Sequence, residues 1–417
     1  MVLLVDGGDF IGGEKLQDSI KAEFYAEGMR RLGYHAVGLG EMDLSLGQAF
    51  VRDLAARKGI DLVNANVHFA DTGERIAKPY VIRRLGARKV LGLETGGVRV
   101  GVTSVLHLDE GAIIKPKKEG DRELVVKDPM IAARAAVQEL RGKTDVIVLL
   151  AHTGMNPAKE IAHGVGGVDV MPVGHGNFRN KETVFVGKTP LMQPGDQGRM
   201  LAVFEAKLTD QKRCVGAQAR LVALDESYPD DESMLALVKD YKTVIRAANI
   251  LPEWPEMDKE MYLGAEACLG CHPKEHEQWM TTRHARAWET MVKGGVDRDL
   301  ECVRCHVTGF GSFNGFRRAD VTPKMIDVQC EVCHGAGKHH YQLITSGEDR
   351  TRLPFHGMEP ITPQTCTQCH RDEHDPEFDY TKKIFLVAHD EQALRKKLEK
   401  AIDEMKSSRS GASAGTH

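Results

Sequence analysis

Four copies of one short pattern constrain this chain more than any other feature. They are Cys268-x-x-Cys271-His272, Cys302-x-x-Cys305-His306, Cys330-x-x-Cys333-His334 and Cys366-x-x-Cys369-His370. Successive copies start 34, 28 and 36 residues apart. Two thiols at this spacing can form thioether bonds to the vinyl side of one porphyrin, and the adjacent imidazole then lies under the iron as its proximal ligand. Zinc sites, disulfides and a redox-active dithiol are the rival readings. None of them requires a histidine directly after the second cysteine, yet all four pairs have one. The motif therefore points to four covalently bound haem c groups.

The same residues divide the chain. Residues 1–250 hold one cysteine, Cys214, and six histidines, whereas residues 251–417 hold eight cysteines and twelve histidines. This step falls beside the Pro-rich stretch Leu251-Pro252-Glu253-Trp254-Pro255, as expected of a linker. The organisation expected is a first domain over 1–250, a linker at 251–258, a haem domain over 259–390 and a C-terminal helix and tail over 391–417. Lys+Arg 56 against Asp+Glu 60 gives a net charge of −4, which argues against a nucleic-acid partner. The apolar runs are too short to cross a bilayer, so no transmembrane segment is expected. Aromatic residues make up only 6% of the chain, little for a segment of this size to build its own core. Porphyrin faces can supply the missing apolar surface.

The haem segment resembles the tetrahaem c-type cytochromes that accept electrons in bacterial hydroxylamine oxidation. The resemblance lies in Tyr262-Leu-Gly-Ala-Glu-Ala-Cys268-Leu-Gly-Cys271-His272-Pro273, Trp279-Met-Thr-Thr-Arg-His284-Ala285 and Cys305-His306-Val-Thr-Gly309-Phe310. It continues through Val328-Gln-Cys330-Glu-Val-Cys333-His334-Gly-Ala-Gly337 and Phe378-Asp-Tyr380 before His389, covering essentially all of 260–390. It implies that remote histidines are distal ligands: His284 first, His340 with His339 as competitor, and His389. His276, His356 and His374 rank below them, and any of these could instead be a surface or hydrogen-bonded histidine. The resemblance also implies that the haem held by Cys302, Cys305 and His306 can be five-coordinate and open to a small-molecule ligand.

The first 250 residues read as alternating strands and helices. Strand-length runs rich in β-branched residues lie at 1–5, 35–39, 62–66, 98–105, 146–150 and 168–173, with helical periodicity at 21–32 and 130–141. Residues 200–208 and 214–224 read as antiparallel strands finishing a sheet, and 232–248 as a helix. An α/β layered domain follows. Polar groups cluster just after strand ends: Gly8-Asp9, Gly40-Glu41-Met42-Asp43, His152 and Gly174-His175-Gly176-Asn177. Asp and His gathered at such ends can build a metal site.

Their order resembles the calcineurin-like metallophosphoesterases, particularly the 5′-nucleotidase branch. The matching text is Leu3-Leu-Val-Asp-Gly-Gly-Asp9, Arg31-Leu-Gly-Tyr34-His-Ala-Val-Gly-Leu-Gly40, Asn64-Ala-Asn66-Val67, Asp145 through His152, and Val168 through His175. The resemblance runs through about 1–225 and implies a four-layer α/β/β/α sandwich. This sequence departs from the pattern in three places. The Gly-Asn-His-Glu motif reads Gly40-Glu41-Met42-Asp43, so a thioether replaces the assisting histidine. Gly-His-x-His reads Gly174-His175-Gly176-Asn177, which loses a ligand of the first metal. The Asp-x-His motif belongs on a strand before Met1. What remains, Asp9, Glu41, His152 and His175, can bind one zinc, manganese or iron ion, with a metal-free relic as the alternative.

Other features have quieter readings. Cys214 reads as a buried thiol, and Lys115-Pro-Lys-Lys118 as a solvated turn. Leu394, Leu398, Ile402 and Met405 form the apolar stripe of a final helix. Covalent haem attachment implies a periplasmic or otherwise extracytoplasmic protein. The chain shows no export signal and begins one motif late, so the natural product is expected to extend beyond Met1. The leading functional expectation is electron transfer to and from redox partner proteins, with a degenerate phosphoesterase-like domain. A metal-dependent phosphohydrolase and a nitrogen-oxide oxidoreductase at an open haem are the alternatives.

Overall fold

In a computed structural model the chain divides into two compact units, Met1–Tyr241 and Lys242–His417. The structure describes residues 1–90, 93–108, 111–176, 179–253, 261–347, 358–359, 361–371 and 375–390. The stripe at Leu394, Leu398, Ile402 and Met405 lies outside them, as do Asn177, His356, His374 and part of the expected linker. No helix among the described residues is long and apolar enough to cross a membrane.

The first unit runs β1 (Val5–Asp6), α1 (Leu16–Leu32), β2 (Ala36–Gly38), α2 (Gln48–Lys58), β3 (Leu62–Val63), β4 (Val67–Phe69), β5 (Tyr80–Val90) and β6 (Leu93–Leu106). It continues with β7 (Ile113–Ile114), β8 (Leu124–Val126), α3 (Pro129–Leu140), β9 (Val146–His152), α4 (Met155–Val165), β10 (Met171–Gly174), β11 (Val184–Val186) and β12 (Thr189–Met192). The hairpin β13 (Met200–Leu208) and β14 (Cys214–Ala223) and the helix α5 (Glu232–Ala248) follow, and the boundary between the units falls inside α5. One sheet has the order β1-β2-β3 and a larger one β11-β12-β10-β9-β6-β5, while β4-β8-β7 form a third. β1, β2 and β3 are parallel, as are β6, β9, β10 and β12.

Period-two alternation along these strands builds four layers. On β9, Ile147, Leu149 and Ala151 pack with Ala133, Val137 and Leu140 of α3 and with Ala158, Ile161 and Val165 of α4. The alternate residues Val146, Val148 and Leu150 pack instead with Ala36 of β2, Val63 of β3 and Val100 and Val102 of β6. On the far side of the smaller sheet, Val37 packs with Ala22 and Ala26 of α1 and Val51 and Leu54 of α2. The sequence of layers is therefore helix, sheet, sheet, helix, the α/β/β/α sandwich. Every residue of β9 is buried, which is why its sequence reads as a continuous apolar run.

The hairpin departs from expectation. β13 and β14 pair with each other as a two-stranded sheet and do not finish the larger one. Phe204, Leu208, Cys214 and Ala217 turn one face of the hairpin onto the inter-sheet cluster, so it packs on the core without extending a ladder. The sequence periodicity does not announce the helices α2 and α4 or the strand β5. α2 is short and buries only a narrow stripe of Val51, Leu54 and Ala55.

The second unit contains short helices around a small apolar cluster of Val303, Val307, Phe316 and Met325, flanked by Tyr262, Trp288, Phe310 and Ile326. Buried polar groups do much of the joining. Glu331, 2% exposed, accepts hydrogen bonds from the backbone N–H groups of Leu263, Gly264 and Gly337 at 2.7–3.0 Å. It thereby ties the approach to the first cysteine motif to the turn after the third.

Candidate functional site

In the first unit four polar side chains meet at the carboxyl ends of parallel strands, where open α/β sheets place their ligands. Asp9 follows β1, Glu41 follows β2, His152 ends β9 and His175 follows β10. Their ligand atoms all lie within 4.8 Å of one another. His152 Nε2 is 3.1 Å from both Asp9 Oδ2 and Glu41 Oε2, and His175 Nδ1 is 3.0 Å from Glu41 Oε1. His152 Nδ1 faces the Gly7 carbonyl at 2.9 Å. A hydrogen bond there fixes the tautomer and leaves Nε2 as the free nitrogen, the usual orienting device behind a metal-bound histidine.

Burial disfavours charge on His152, but Asp9 and Glu41 outweigh it and push the imidazole up to about 10, so a proton and a cation would compete for Nε2. Burial would raise Glu41 as well; His152 first, and then His175, hold it below its ordinary range. Nε2 of His152 and Oε2 of Glu41 are buried without a hydrogen bond of good geometry. Such orphaned atoms fit a cation between them, since donors around one ion at about 2.0–2.2 Å stand roughly 3–4 Å apart. The donor set of two imidazoles and two carboxylates suits zinc, manganese or iron.

Two residues of the Gly40–Asp43 motif take roles here that the sequence did not assign to them. The carboxylate of Asp43 is fully buried and accepts from Gly40 N at 2.8 Å, Asp9 N at 2.9 Å and Ile11 N at 3.2 Å. Asp43 therefore clamps together the two loops that carry Asp9 and Glu41. Gly40 is required where those loops cross, because a Cβ there would meet Asp9 Oδ1 at 2.1 Å and His152 Cε1 at 2.6 Å. The signal available was an acidic residue three positions after a glycine in a loop, which is common in ordinary turns. The Met42 backbone N–H donates to Asp9 Oδ1 at 2.8 Å, and its thioether side chain is exposed.

In the second unit each cysteine motif winds into a helical turn. The His272 and His370 N–H groups bond the Cys268 and Cys366 carbonyls at 2.9 Å, which puts both cysteines and the histidine of a motif on one face. The neighbouring thiol of Cys330 and then burial raise Cys268, and the neighbouring thiol of Cys305 and then burial raise Cys369. Motifs one and three thus adjoin, as do two and four.

Three of the four motif histidines each face a remote histidine. The ring centres are 6.3 Å apart for His272 and His340, 6.0 Å for His370 and His284, and 6.1 Å for His334 and His389. Metal–imidazole bonds of about 2 Å on each side, plus about 1 Å from each nitrogen to its ring centre, give roughly 6 Å across an axially ligated metal. The paired rings therefore fit an iron between them. Burial lowers His284 and His334, and the neighbouring imidazoles add to the effect, favouring the neutral form that binds metal. His306 has no histidine ring opposite it among the described residues; its Nδ1 faces the Ala287 carbonyl at 3.0 Å and Thr290 Oγ1 at 3.3 Å. His339 is exposed, and His276 packs edge-on against Trp279.

Residues 267–335 match the family described as cytochrome c554 and c-prime, a haem c family. Cytochrome c-554 of Nitrosomonas europaea is 33% identical over 132 residues, which cover 26% of this chain and 56% of that protein. The 5′-nucleotidase of Bos taurus is 25% identical over 266 residues, 58% of this chain and 44% of that one. The chain thus spans about half the length of these curated relatives. The crystal structure of the calcineurin-like phosphoesterase YfkN from Bacillus subtilis aligns with a TM-score of 0.47 at 22% identity, covering 58% of this chain and 83% of that one. The chain accordingly joins a segment similar to the 5′-nucleotidases to one that matches the cytochrome c554 and c-prime family over residues 267–335.

Proposed function

We propose that this chain is an extracytoplasmic tetrahaem electron carrier whose phosphoesterase-like unit retains at most one cation. The observation that carries the reading is the pairing of His272, His334 and His370 with His340, His389 and His284, which leaves His306 without such a partner among the described residues. Bound haem supplies one-electron chemistry, and the chain supplies its anchoring and axial ligation. The cysteines would fix each group covalently, the paired imidazoles would hold three of the irons, and His306, which faces no imidazole among the described residues, would hold the fourth with room for a small ligand. The contacts of Cys268 with Cys330 and of Cys305 with Cys369 support close spacing within two pairs of groups. Redox proteins are the partners such an array implies. Haem quantification on protein matured in the periplasm tests the reading: four groups per chain are expected, and fewer refute it.

The cluster of Asp9, Glu41, His152 and His175 favours a second reading, metal-dependent phosphate-ester hydrolysis. Met42 argues against efficient turnover, since a thioether cannot relay a proton at the position where the resembling enzymes place a histidine. Asn177 likewise offers no imidazole to a first metal. Nucleotide hydrolysis with added manganese separates the readings, because a rate that depends on His175 promotes the second.

A further inference from the structure

His370 is oriented differently from the other imidazoles whose partners are known. Its Nδ1 lies 2.8 Å from Asp375 Oδ2, and the Phe378 ring stacks on its own ring at 4.6 Å and 16°. Two other imidazoles face neutral acceptors: the Ala287 carbonyl faces His306 at 3.0 Å, and Gln278 Oε1 faces His389 Nδ1 at 2.9 Å. Glu275 stands 4.0 Å from His272 Nδ1, past hydrogen-bond reach.

We propose that Asp375 is a positioning residue that sets the reduction potential of the haem held by Cys366 and Cys369, making it a low-potential member of the array. The inference rests on the reading of His370 as that haem's proximal ligand. Nδ1–H of His370 donates to the carboxylate, so Nε2 is the nitrogen left for iron, and the ring gains imidazolate character. A more basic ligand stabilises the ferric over the ferrous state. The nearby negative charge acts in the same direction, because reduction adds an electron beside it. The Asp375 side chain is about a third exposed (36%), so solvent weakens the effect without removing it. Phe378 covers one face of the imidazole and restrains its rotation. In the haems whose histidines face Ala287 and Gln278, a neutral acceptor gives only the weaker orienting effect.

The test is a spectroelectrochemical titration of the full holoprotein, wild type against Asp375→Asn. Asparagine can still accept the hydrogen bond but removes the charge. One of the four transitions should move to higher potential while the other three hold. At a fixed applied potential, the oxidised-to-reduced ratio of that haem should fall about tenfold, the lower end of second-shell effects on metal sites. For a one-electron couple this corresponds to about 59 mV. Asp375→Glu should restore part of the shift, which a merely structural role would not do. Four unmoved transitions, or four that shift together, overturn the proposal. Near-infrared magnetic circular dichroism of the wild type reports the ligand reading separately. Fewer than three bis-imidazole signals defeat that reading, whereas three such signals with unmoved potentials defeat only the role of Asp375.

Discussion

The rings of His334 and His389 lie within 13° of parallel, with ring centres 6.1 Å apart, and the two residues are 55 positions apart in the sequence. His389 reaches this place after the short helix Tyr380–Lys383, capped by the Asp379 side chain, which accepts from Thr381 N at 3.0 Å. Gln278 then holds the ring through its Nδ1. Replacing the outer ring leaves the anchoring cysteines untouched. His389→Ala should keep all four haems yet convert one low-spin centre to high spin, read by electron paramagnetic resonance and by a new ligand-binding population with nitric oxide. His276→Ala, which removes a ring packed on Trp279, should change neither. An unchanged spin state in the first variant refutes ligation by His389.

The metal cluster makes a parallel prediction. The full wild-type chain should hold about one divalent cation, and His152→Ala should reduce its content at least tenfold, as removing a ligand costs at least as much as disturbing a second-shell partner. Elemental analysis of the intact holoprotein, with haem iron subtracted by absorbance, is the measurement. Equal content in both proteins would remove the site from consideration.

The haem motifs were legible because covalent chemistry fixes their spacing; no other use of two thiols demands a histidine at the next position. Distal ligands were legible only through resemblance, since nothing local marks His340 apart from its neighbour His339. The difference is tertiary. Glu331 binds the Gly337 N–H at 2.7 Å and fixes the turn before the helix Lys338–Ser346, and that turn presents His340, not His339, to His272. In the first unit the buried strand β9 announced itself as an apolar run, whereas α2 did not, because only three of its apolar residues, Val51, Leu54 and Ala55, are buried. The clamp by Asp43 was invisible for another reason. Its three bonds come from backbone groups up to 34 positions away, and backbone donors leave no side-chain signature.

That clamp can be tested directly. Asp43 offers two acceptor oxygens to three N–H donors, and an asparagine amide would turn an N–H₂ against at least one of them. Asp43→Asn should destabilise the protein by about 1–3 kcal/mol, the cost of an unsatisfied buried donor. Because Asp9 and Gly40 both hang from this carboxylate, metal content should fall as well. Chemical denaturation together with elemental analysis checks both. A destabilised variant with full metal content would show that the clamp supports the fold alone.

A last prediction concerns pH and the join between β6 and β9. Asp145 accepts from Arg99 N at 2.7 Å and from Arg99 Nη2 at 3.0 Å, while its own N–H donates to the Arg99 carbonyl at 2.7 Å. Burial works to raise this carboxyl, but the Arg99 guanidinium and backbone N–H prevail and hold it below its usual 3.8. A carboxyl depressed on folding contributes stability that is fully present above its unfolded value and is lost as pH falls through its folded one. Asp145→Asn should therefore cost about 1.5–3 kcal/mol at pH 7, the range for a hydrogen bond to a charged group. The gap between wild type and variant should hold down to about pH 4 and close progressively below it. Urea denaturation of both proteins at pH 7, 4 and 3 provides the comparison. A gap that stays constant across this range would assign the contribution of Asp145 to shape, because only the ionised carboxylate is lost on acidification.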